Sequence, residues 1–237
     1  MFAFEQLPIF ACPIYKVKID PSSYDKEQIL TDIKYNYSLS SYRNSPLTGD
    51  ECNIHHSYLD FENENFKRIN YDTLFPIYKE IVKQFLTEVY PISTSDTDTI
   101  TPPNPAQRIP NTGFNWKCEI INYTCIKDGQ WLIPHTHLPS DDFAIIHYLN
   151  LKSDHVRTRF WNPADFSNYL KSIQPILFSK LNTSKIENSY MFDCWTPPAN
   201  EDDFVIYPAA LKHDIPIQTH TDEPRISVVS NIQIIPD

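Results

Sequence analysis

Eight short β-strand patterns follow one another between Trp116 and the C-terminus, and they restrict this chain to a small number of folds. Segments rich in Pro, Asp and Asn separate the patterns, as expected for turns between strands. Few helical patterns lie between them, which disfavours a parallel sheet with crossover helices. An antiparallel double-sheet barrel of the jelly-roll type fits this order. The predicted strands are 117–126, 131–135, 143–150, 157–161, 190–195, 204–207, 212–218 and 225–235.

The first 115 residues predict an α/β elaboration that packs on the barrel. Positions 13–19 alternate apolar and polar residues, as in a half-exposed strand. Ser22 and Asp25 stand at capping-box spacing, which predicts the start of a helix. A second helix is predicted over 73–90, where apolar residues recur every three or four positions. We therefore expect one mainly β domain, 1–237, with packing helices: a double-stranded β-helix barrel at 116–237, braced by 1–115.

Two longer segments have no regular pattern. The segment 91–113 is rich in Pro, Ser, Thr and Asp. A loop of this length is either a lid over a site or a plain surface connector. The segment 163–187 is predicted to be a less regular insert between the fourth and fifth barrel strands.

The composition excludes several classes of function. With only 3 glycines beside 20 prolines, the glycine-rich loops that hold nucleotide phosphates cannot form. The formal net charge of −10 argues against a nucleic-acid partner, which requires a basic surface, but one buried arginine could still bind a small anion. Five cysteines without a C-x-x-C spacing indicate a reduced protein. No signal peptide or long apolar run is present, so we expect a soluble, cytoplasmic protein without a membrane partner.

His135 and His137 stand two positions apart at the end of the second predicted strand. On an extended strand both imidazoles point to the same face, about 6–7 Å apart. His213, on the seventh predicted strand, would bring a third imidazole to the same place. Three ligands on one face leave metal positions open for water or substrate, as catalytic metal sites require. The alternative is that one of the pair is a surface histidine at a strand end.

The last predicted strand has one apolar and one polar face. Ile226 and Val228 belong to the face suited to packing on helices, whereas Arg225, Ser227 and Asn231 belong to the other. Inside a barrel, Arg225 could bind a carboxylate through two hydrogen bonds, with Ser227 adding a third. The alternative is that Arg225 is an exposed charge at the strand end.

These motifs resemble those of the 2-oxoglutarate/Fe(II)-dependent oxygenases, in particular phage-type and bacterial members distantly related to prolyl hydroxylases. The resemblance covers about half the chain, from Trp116 to the end. It implies a dioxygenase that hydroxylates a small-molecule or peptide substrate, with Fe(II) as cofactor and 2-oxoglutarate as cosubstrate. The motifs are His135-Thr-His137, Phe143 to Asn150, Phe204 to His213, and Arg225-Ile-Ser227.

The resemblance also implies a role for individual residues. The iron ligands would be His135, His137 and His213. The far carboxylate of 2-oxoglutarate would be bound by Arg225, Ser227 and Tyr148.

One position departs from the pattern of that family. Most members have an acidic residue where this chain has His137. Three neutral ligands make an iron site more cationic than two histidines and a carboxylate, which changes its potential. Alternatively, Asp141 or Asp142 folds back and supplies a carboxylate ligand.

Two other functions compete with the oxygenase hypothesis. The segment from His135 to Asp141 approximates the His-x-His-x3-acid pattern of cupins, which predicts a three-histidine metalloprotein that does not use 2-oxoglutarate. A cupin does not explain Arg225 and Ser227. A non-catalytic jelly-roll binding module is the third possibility, because a fold by itself does not establish activity.

The remaining histidines and cysteines predict structural roles. His147 is expected to be packed or hydrogen-bonded within the sheet. The other histidines fall in predicted loops, where solvated side chains are the default; they are His55, His56, His155 and His220. Cys118 and Cys125 are expected to be small buried apolar residues, since their spacing does not indicate zinc.

Overall fold

A computed structural model of the chain describes residues 2–3, 5–9, 12–39, 55–57, 64–89, 114–139, 141–163 and 193–236. The described strands are β1 (Glu5–Ile9), β2 (Cys12–Lys18), β3 (His55–His56), β4 (Phe114–Ile126), β5 (Leu132–His135), β6 (Phe143–Asn150), β7 (Arg159–Trp161), β8 (Cys194–Trp195), β9 (Asp203–Pro208), β10 (His213–Ile215) and β11 (Arg225–Pro236). The described α-helices are α1 (Lys26–Leu39) and α2 (Phe75–Gln84), and α2 continues into a π-helical turn, Phe85–Val89. Neither helix is long and apolar enough to cross a membrane.

The described strands pair into two antiparallel sheets. The larger sheet has seven strands in the order β1-β2-β9-β6-β11-β4-β3, and the smaller has four in the order β5-β10-β7-β8. The longest pairing joins β11 to β4 from Arg225↔Ile126 to Pro236↔Phe114. Apart from the β1–β2 hairpin, the strands that pair are distant in sequence, as in a jelly roll. The predicted mainly β, jelly-roll fold class is confirmed.

Both helices pack on one face of the larger sheet. Alternate residues of the central strands point toward them, since successive side chains of a strand point to opposite faces. Phe204 of β9 and Val228 of β11 are fully buried in this layer, against Ile33 of α1 and Tyr78 and Val82 of α2. The apolar stripe predicted over 73–90 therefore braces the sheet, as far as the described residues extend.

The opposite face of the larger sheet faces the smaller sheet. Ile146 of β6 and Val205 of β9 pack in this second core with Phe160 of β7. Along β11, Arg225 and Ser227 point to this side while their neighbours point to the helices. The two-faced pattern predicted for the last strand is thus present, and it places polar side chains between the sheets.

The predicted barrel strands agree with the observed ones, with small differences at the ends. The strand predicted over 212–218 is shorter, His213–Ile215. Beyond it, the backbone of Gln218 bonds to Gly129 and Gln130, which precede the partner strand β5. Residues 190–192, 91–113 and 164–187 lie outside the described residues, so the lid or connector and the insert stay predictions. The division at residue 115 also stays a prediction.

The capping box predicted at Ser22 and Asp25 was wrong. Oδ1 of Asp20 accepts hydrogen bonds from the backbone N–H of Ser22 at 2.9 Å and from its hydroxyl at 2.8 Å. These bonds cap a short 3-10 turn, Pro21–Ser23, instead of an α-helix. The α-helix begins at Lys26, after the N–H of Asp25 has donated to the hydroxyl of Thr73.

Candidate metal centre

The structure brings His135, His137 and His213 together between the sheets. His135 lies directly opposite His213 in the pairing of β5 with β10. His137 follows β5, and its backbone N–H donates to the carbonyl of Ala209 at 3.0 Å. The ring centroids are 4.3 Å apart for His135–His213, 5.2 Å for His137–His213 and 5.6 Å for His135–His137. Each residue offers a ring nitrogen within 4.8 Å of the other two.

Backbone carbonyls determine the tautomer of two of these rings. Nδ1 of His135 is 2.9 Å from the carbonyl oxygen of Ile133, and Nδ1 of His213 is 3.0 Å from that of Leu211. A carbonyl only accepts, so each Nδ1 carries the proton and each Nε2 presents a lone pair. Ligating histidines in metalloproteins are held in this way.

Burial keeps the three imidazoles neutral. It lowers the pKa of His213 well below its ordinary value, with neighbouring His135 and His137 acting in the same direction. Burial, followed by the proximity of His135, lowers the pKa of His137 to about 4, although Asn231 and Asp141 oppose this. The pKa of His135 is also lowered, mainly by burial. Neutral imidazoles can bind a metal at neutral pH without first losing a proton.

A cavity of about 340 Å³ connects the three histidines with the polar face of β11. That volume is within the range of small-ligand sites. Ile146, Ile215 and Val229 contribute apolar wall between the two polar ends. At the second end lie Arg225 and Ser227, whose hydroxyl is 3.2 Å from that of Thr124.

Arg225 places a buried guanidinium in the part of the cavity away from the three histidines. It is 0% exposed, which rules out the exposed strand-end charge of the alternative interpretation. Its Nη2 donates to the hydroxyl oxygen of Thr158 at 3.1 Å, and its Cζ is 5.0 Å from the ring centroid of Tyr148. Within the described part of the chain, Nε and Nη1 have no hydrogen-bond partner. A buried guanidinium with two free donors fits an anion, and a carboxylate matches its geometry.

Thr158 is a part of this site that the sequence reasoning missed. Its hydroxyl oxygen accepts from Arg225 and also from the hydroxyl of Tyr148, at 3.0 Å. With both acceptor positions used, its own proton is directed toward the cavity that it lines. Thr158 falls in the strand predicted over 157–161 and directly precedes the observed strand Arg159–Trp161, but a single threonine in a strand pattern does not indicate a contact with Arg225. The ring of Tyr148 packs against the guanidinium of Arg225, and its hydroxyl donates to Thr158.

The two candidate carboxylates do not join the three histidines. Oδ2 of Asp141 accepts from Nδ2 of Asn231 at 2.6 Å, and Oδ2 of Asp142 accepts from the N–H of Ile234 at 2.6 Å. Asp141 lines the cavity beside His137, whereas Asp142 is exposed. Within the residues that the structure describes, the potential metal-binding group consists of the three histidines alone.

His147, His55 and His155 lie away from the site and have structural contacts. His147 is fully buried with its Nδ1 2.8 Å from the hydroxyl of Tyr78, which confirms its predicted packing. The prediction that His55 and His155 are solvated was wrong. His55 is 0% exposed, with Nε2 3.2 Å from the hydroxyl of Tyr123, because β3 adds an edge to the sheet.

His155 is buried, and both of its ring nitrogens form hydrogen bonds with backbone groups. Nδ1 accepts from the N–H of Lys152 at 3.1 Å, and Nε2 donates to the carbonyl of Glu223 at 3.0 Å. His220 is exposed, as predicted, whereas the side chain of His56 is outside the described atoms. Cys118 and Cys125 are buried in the helix-side core, as predicted.

The fold is similar to those of solved hydroxylases. A prolyl hydroxylase from Trichoplax adhaerens, in complex with a hypoxia inducible factor oxygen degradation domain peptide fragment, superimposes with a TM-score of 0.50 at 11% identity, over 93% of this chain and 83% of that one. A prolyl-4-hydroxylase from Pseudomonas putida gives 0.49 at 7%, over 93% and 92%. The viral collagen prolyl hydroxylase of Paramecium Bursaria Chlorella virus-1 gives 0.41 at 10%, over 94% and 96%.

At 11% identity, the likeness to the Trichoplax adhaerens hydroxylase is one of fold alone. No protein-family model and no curated protein matches the sequence.

Proposed function

We propose that this protein is an Fe(II)- and 2-oxoglutarate-dependent oxygenase that hydroxylates a small-molecule or peptide substrate. The observation that carries the proposal is a single cavity with three neutral histidines at one end and a fully buried Arg225 with two unused donors at the other. When bound at the histidines, Fe(II) with 2-oxoglutarate would supply the oxidising chemistry.

The donors at each end fit these two groups. His135, His137 and His213 would hold the iron through imidazole nitrogens, a ligand type that suits iron. Arg225 would donate to the far carboxylate of 2-oxoglutarate, since two of its nitrogens have no hydrogen-bond partner among the described residues, and Ser227 would add a hydrogen bond.

The rest of the cavity would orient the cosubstrate and keep the site dry. The ring of Tyr148 supports the guanidinium of Arg225, and Thr158 fixes one of its nitrogens, so little freedom is lost when an anion binds. Ile146, Ile215 and Val229 leave water few polar partners between the two ends.

The peptide in the Trichoplax adhaerens hydroxylase structure supports a peptide as one possible substrate class. The small-molecule alternative is equally compatible with a cavity of this size. The proposal therefore includes both a peptide and a small molecule as substrates.

The test is an anaerobic titration of the metal-free protein with Fe(II), followed by 2-oxoglutarate. We expect a visible charge-transfer band from the iron–2-oxoglutarate chelate, and we expect Arg225→Ala to abolish it at the same concentrations. Arg157→Ala is the matched control. Among the described residues, its guanidinium donates to the backbone carbonyls of Ala199, Ser153 and His155.

Each outcome separates the competing functions. Fe(II) binding without the band would favour the cupin-like metalloprotein over the oxygenase. No Fe(II) binding would leave a jelly-roll binding module. Loss of the band in Arg157→Ala as well would mean that the substitutions act on folding and not on carboxylate binding.

A further inference from the structure

His137 differs from the other two clustered histidines in what holds its ring. His135 and His213 each donate Nδ1–H to a carbonyl two residues earlier in the chain. The backbone N–H of His137 is bonded to Ala209, which fixes the main chain. The imidazole itself makes no bond to a backbone group in the described ranges. The main chain therefore does not set its tautomer.

Asn231 is the side chain placed to do this. Its Nδ2 donates to Oδ2 of Asp141 at 2.6 Å, and a carboxylate only accepts, so the orientation of the amide is determined. Oδ1 of Asn231 is consequently turned away from Asp141. It is buried and has no hydrogen-bond partner among the described residues.

Asn231, His137 and Asp141 line the same cavity. The amide oxygen of Asn231 is an unused acceptor in the wall that also contains the one ring of the three without a backbone acceptor.

We propose that Asp141 and Asn231 form a positioning pair for His137. In this pair Oδ1 of Asn231, which has no partner among the described residues, would accept the ring N–H of His137 and leave the other ring nitrogen for a metal. The inference rests on the proposed function, because it assigns these residues a role toward the iron site. Asp141 then supports the metal site through two hydrogen bonds instead of binding the metal. Such partners of ligating histidines orient the ring and raise its basicity.

The test uses two measurements that require no turnover. Long-range proton–nitrogen NMR of the metal-free protein reports the tautomer of His137. Chelator competition reports the Fe(II) affinity in the absence of 2-oxoglutarate. Asn231→Ala removes the acceptor, and Asp141→Asn removes the group that orients it. Asp142→Asn is the matched control, because Asp142 ties the same loop to β11 without contacting Asn231.

We expect a single His137 tautomer in the wild type and a mixture in Asn231→Ala and Asp141→Asn. Fe(II) binding should weaken by about 10- to 100-fold in Asn231→Ala and stay at the wild-type level in Asp142→Asn. The double variant Asp141→Asn/Asn231→Asp exchanges amide and carboxylate and preserves the bond between them. It should restore the single tautomer and most of the affinity.

Unchanged tautomer and affinity in Asn231→Ala would overturn the positioning pair, and so would an equal loss in Asp142→Asn. The proposed function fails on different results. If the affinities follow the expected pattern and 2-oxoglutarate does not bind, the oxygenase proposal falls and the pair stands. If the wild type binds no Fe(II), the NMR tautomers still decide whether the pair exists.

Discussion

The hydroxyl of Tyr207 lies 3.1 Å from Nε2 of His213. Because Nδ1–H of His213 donates to Leu211, Nε2 is the bare nitrogen, and the tyrosine must be the donor. Tyr207 is fully buried, and burial raises the pKa of its phenol well above the ordinary value, so the proton stays on the oxygen. The nitrogen that a metal would use is thus occupied by a hydrogen bond in the metal-free protein.

Tyr207→Phe should therefore bind Fe(II) more tightly than the wild type. A metal must break the Tyr207–His213 bond, and a net hydrogen bond contributes about 0.5–1.5 kcal/mol, so the gain should be about 2- to 12-fold. Chelator competition measures it. Tyr123→Phe is the control, since the Tyr123 hydroxyl contacts Asn36 and His55 instead of the cluster. Weaker binding in Tyr207→Phe would show that the hydroxyl helps to hold the metal.

Thr158→Val should weaken 2-oxoglutarate binding without changing Fe(II) affinity. The substitution keeps the side-chain shape and removes the acceptor of Arg225 and Tyr148. Hydrogen bonds to charged groups contribute about 1.5–3 kcal/mol, which corresponds to roughly 10- to 150-fold in affinity. Calorimetry with the Fe(II)-loaded protein measures the loss.

Thr221→Val is the matched control for Thr158→Val. Thr221 is also buried, and its hydroxyl has no hydrogen-bond partner in the part of the chain described here. We expect this variant to bind 2-oxoglutarate like the wild type. Equal binding in both variants would contradict the role of Thr158 in orienting Arg225.

The free energy of unfolding should decrease as the pH falls, because Glu201 takes up a proton. Burial raises its pKa, but hydrogen bonds from Lys26 and Lys152 outweigh burial and lower the pKa to about 2, from an ordinary 4.5. The unfolded chain therefore takes up this proton first as the pH falls. The stabilisation is fully present above pH 4.5 and is lost between pH 4.5 and about 2.

Glu201→Gln tests this pH dependence. It should lower Tm at pH 7 by about 2–4 °C for each kcal/mol lost, and the difference from the wild type should shrink as the pH approaches 2. Glu119→Gln is the control, because Glu119 pairs with Lys117 at an exposed position where ion pairs contribute little. A difference in Tm that is constant with pH would exclude Glu201 as the source.

Tyr78→Phe should destabilise the helix-side core. The hydroxyl of Tyr78 is 2.8 Å from Nδ1 of His147, whose pKa burial lowers to about 3, so a neutral ring shares this hydrogen bond with the tyrosine. Removing the hydroxyl leaves a buried ring nitrogen unsatisfied, which costs about 1–3 kcal/mol. Urea unfolding measures the loss.

Tyr24→Phe is a close control for Tyr78→Phe. Tyr24 packs on the same imidazole, with ring centroids 5.9 Å apart, and its buried hydroxyl has no hydrogen-bond partner among the described residues. The variant should unfold at nearly the wild-type urea concentration. Equal losses in the two tyrosine variants would show that the Tyr78–His147 hydrogen bond is not the source of the effect.

The positions of the strands along the chain could be predicted because burial of one face imposes a period of two on the sequence. Val228 and Phe204 on one face, and Arg225 and Ser227 on the other, follow from alternation alone. The capping error shows the limit of local signals. Ser22 and Asp25 had the right spacing, but the N–H of Ser22 donates to Asp20 and the N–H of Asp25 donates to Thr73.

The sequence by itself determined the strand pattern, the two-faced last strand and the three histidines as a candidate set. Only the tertiary structure decided the register of β5 on β10, which places His135 opposite His213. It also decided the contacts of Thr158 with Arg225 and of Asn231 with Asp141, between residues 67 and 90 positions apart. Strand periodicity reports which face a side chain occupies, whereas contacts across the fold depend on sheet register and packing, which no local pattern encodes.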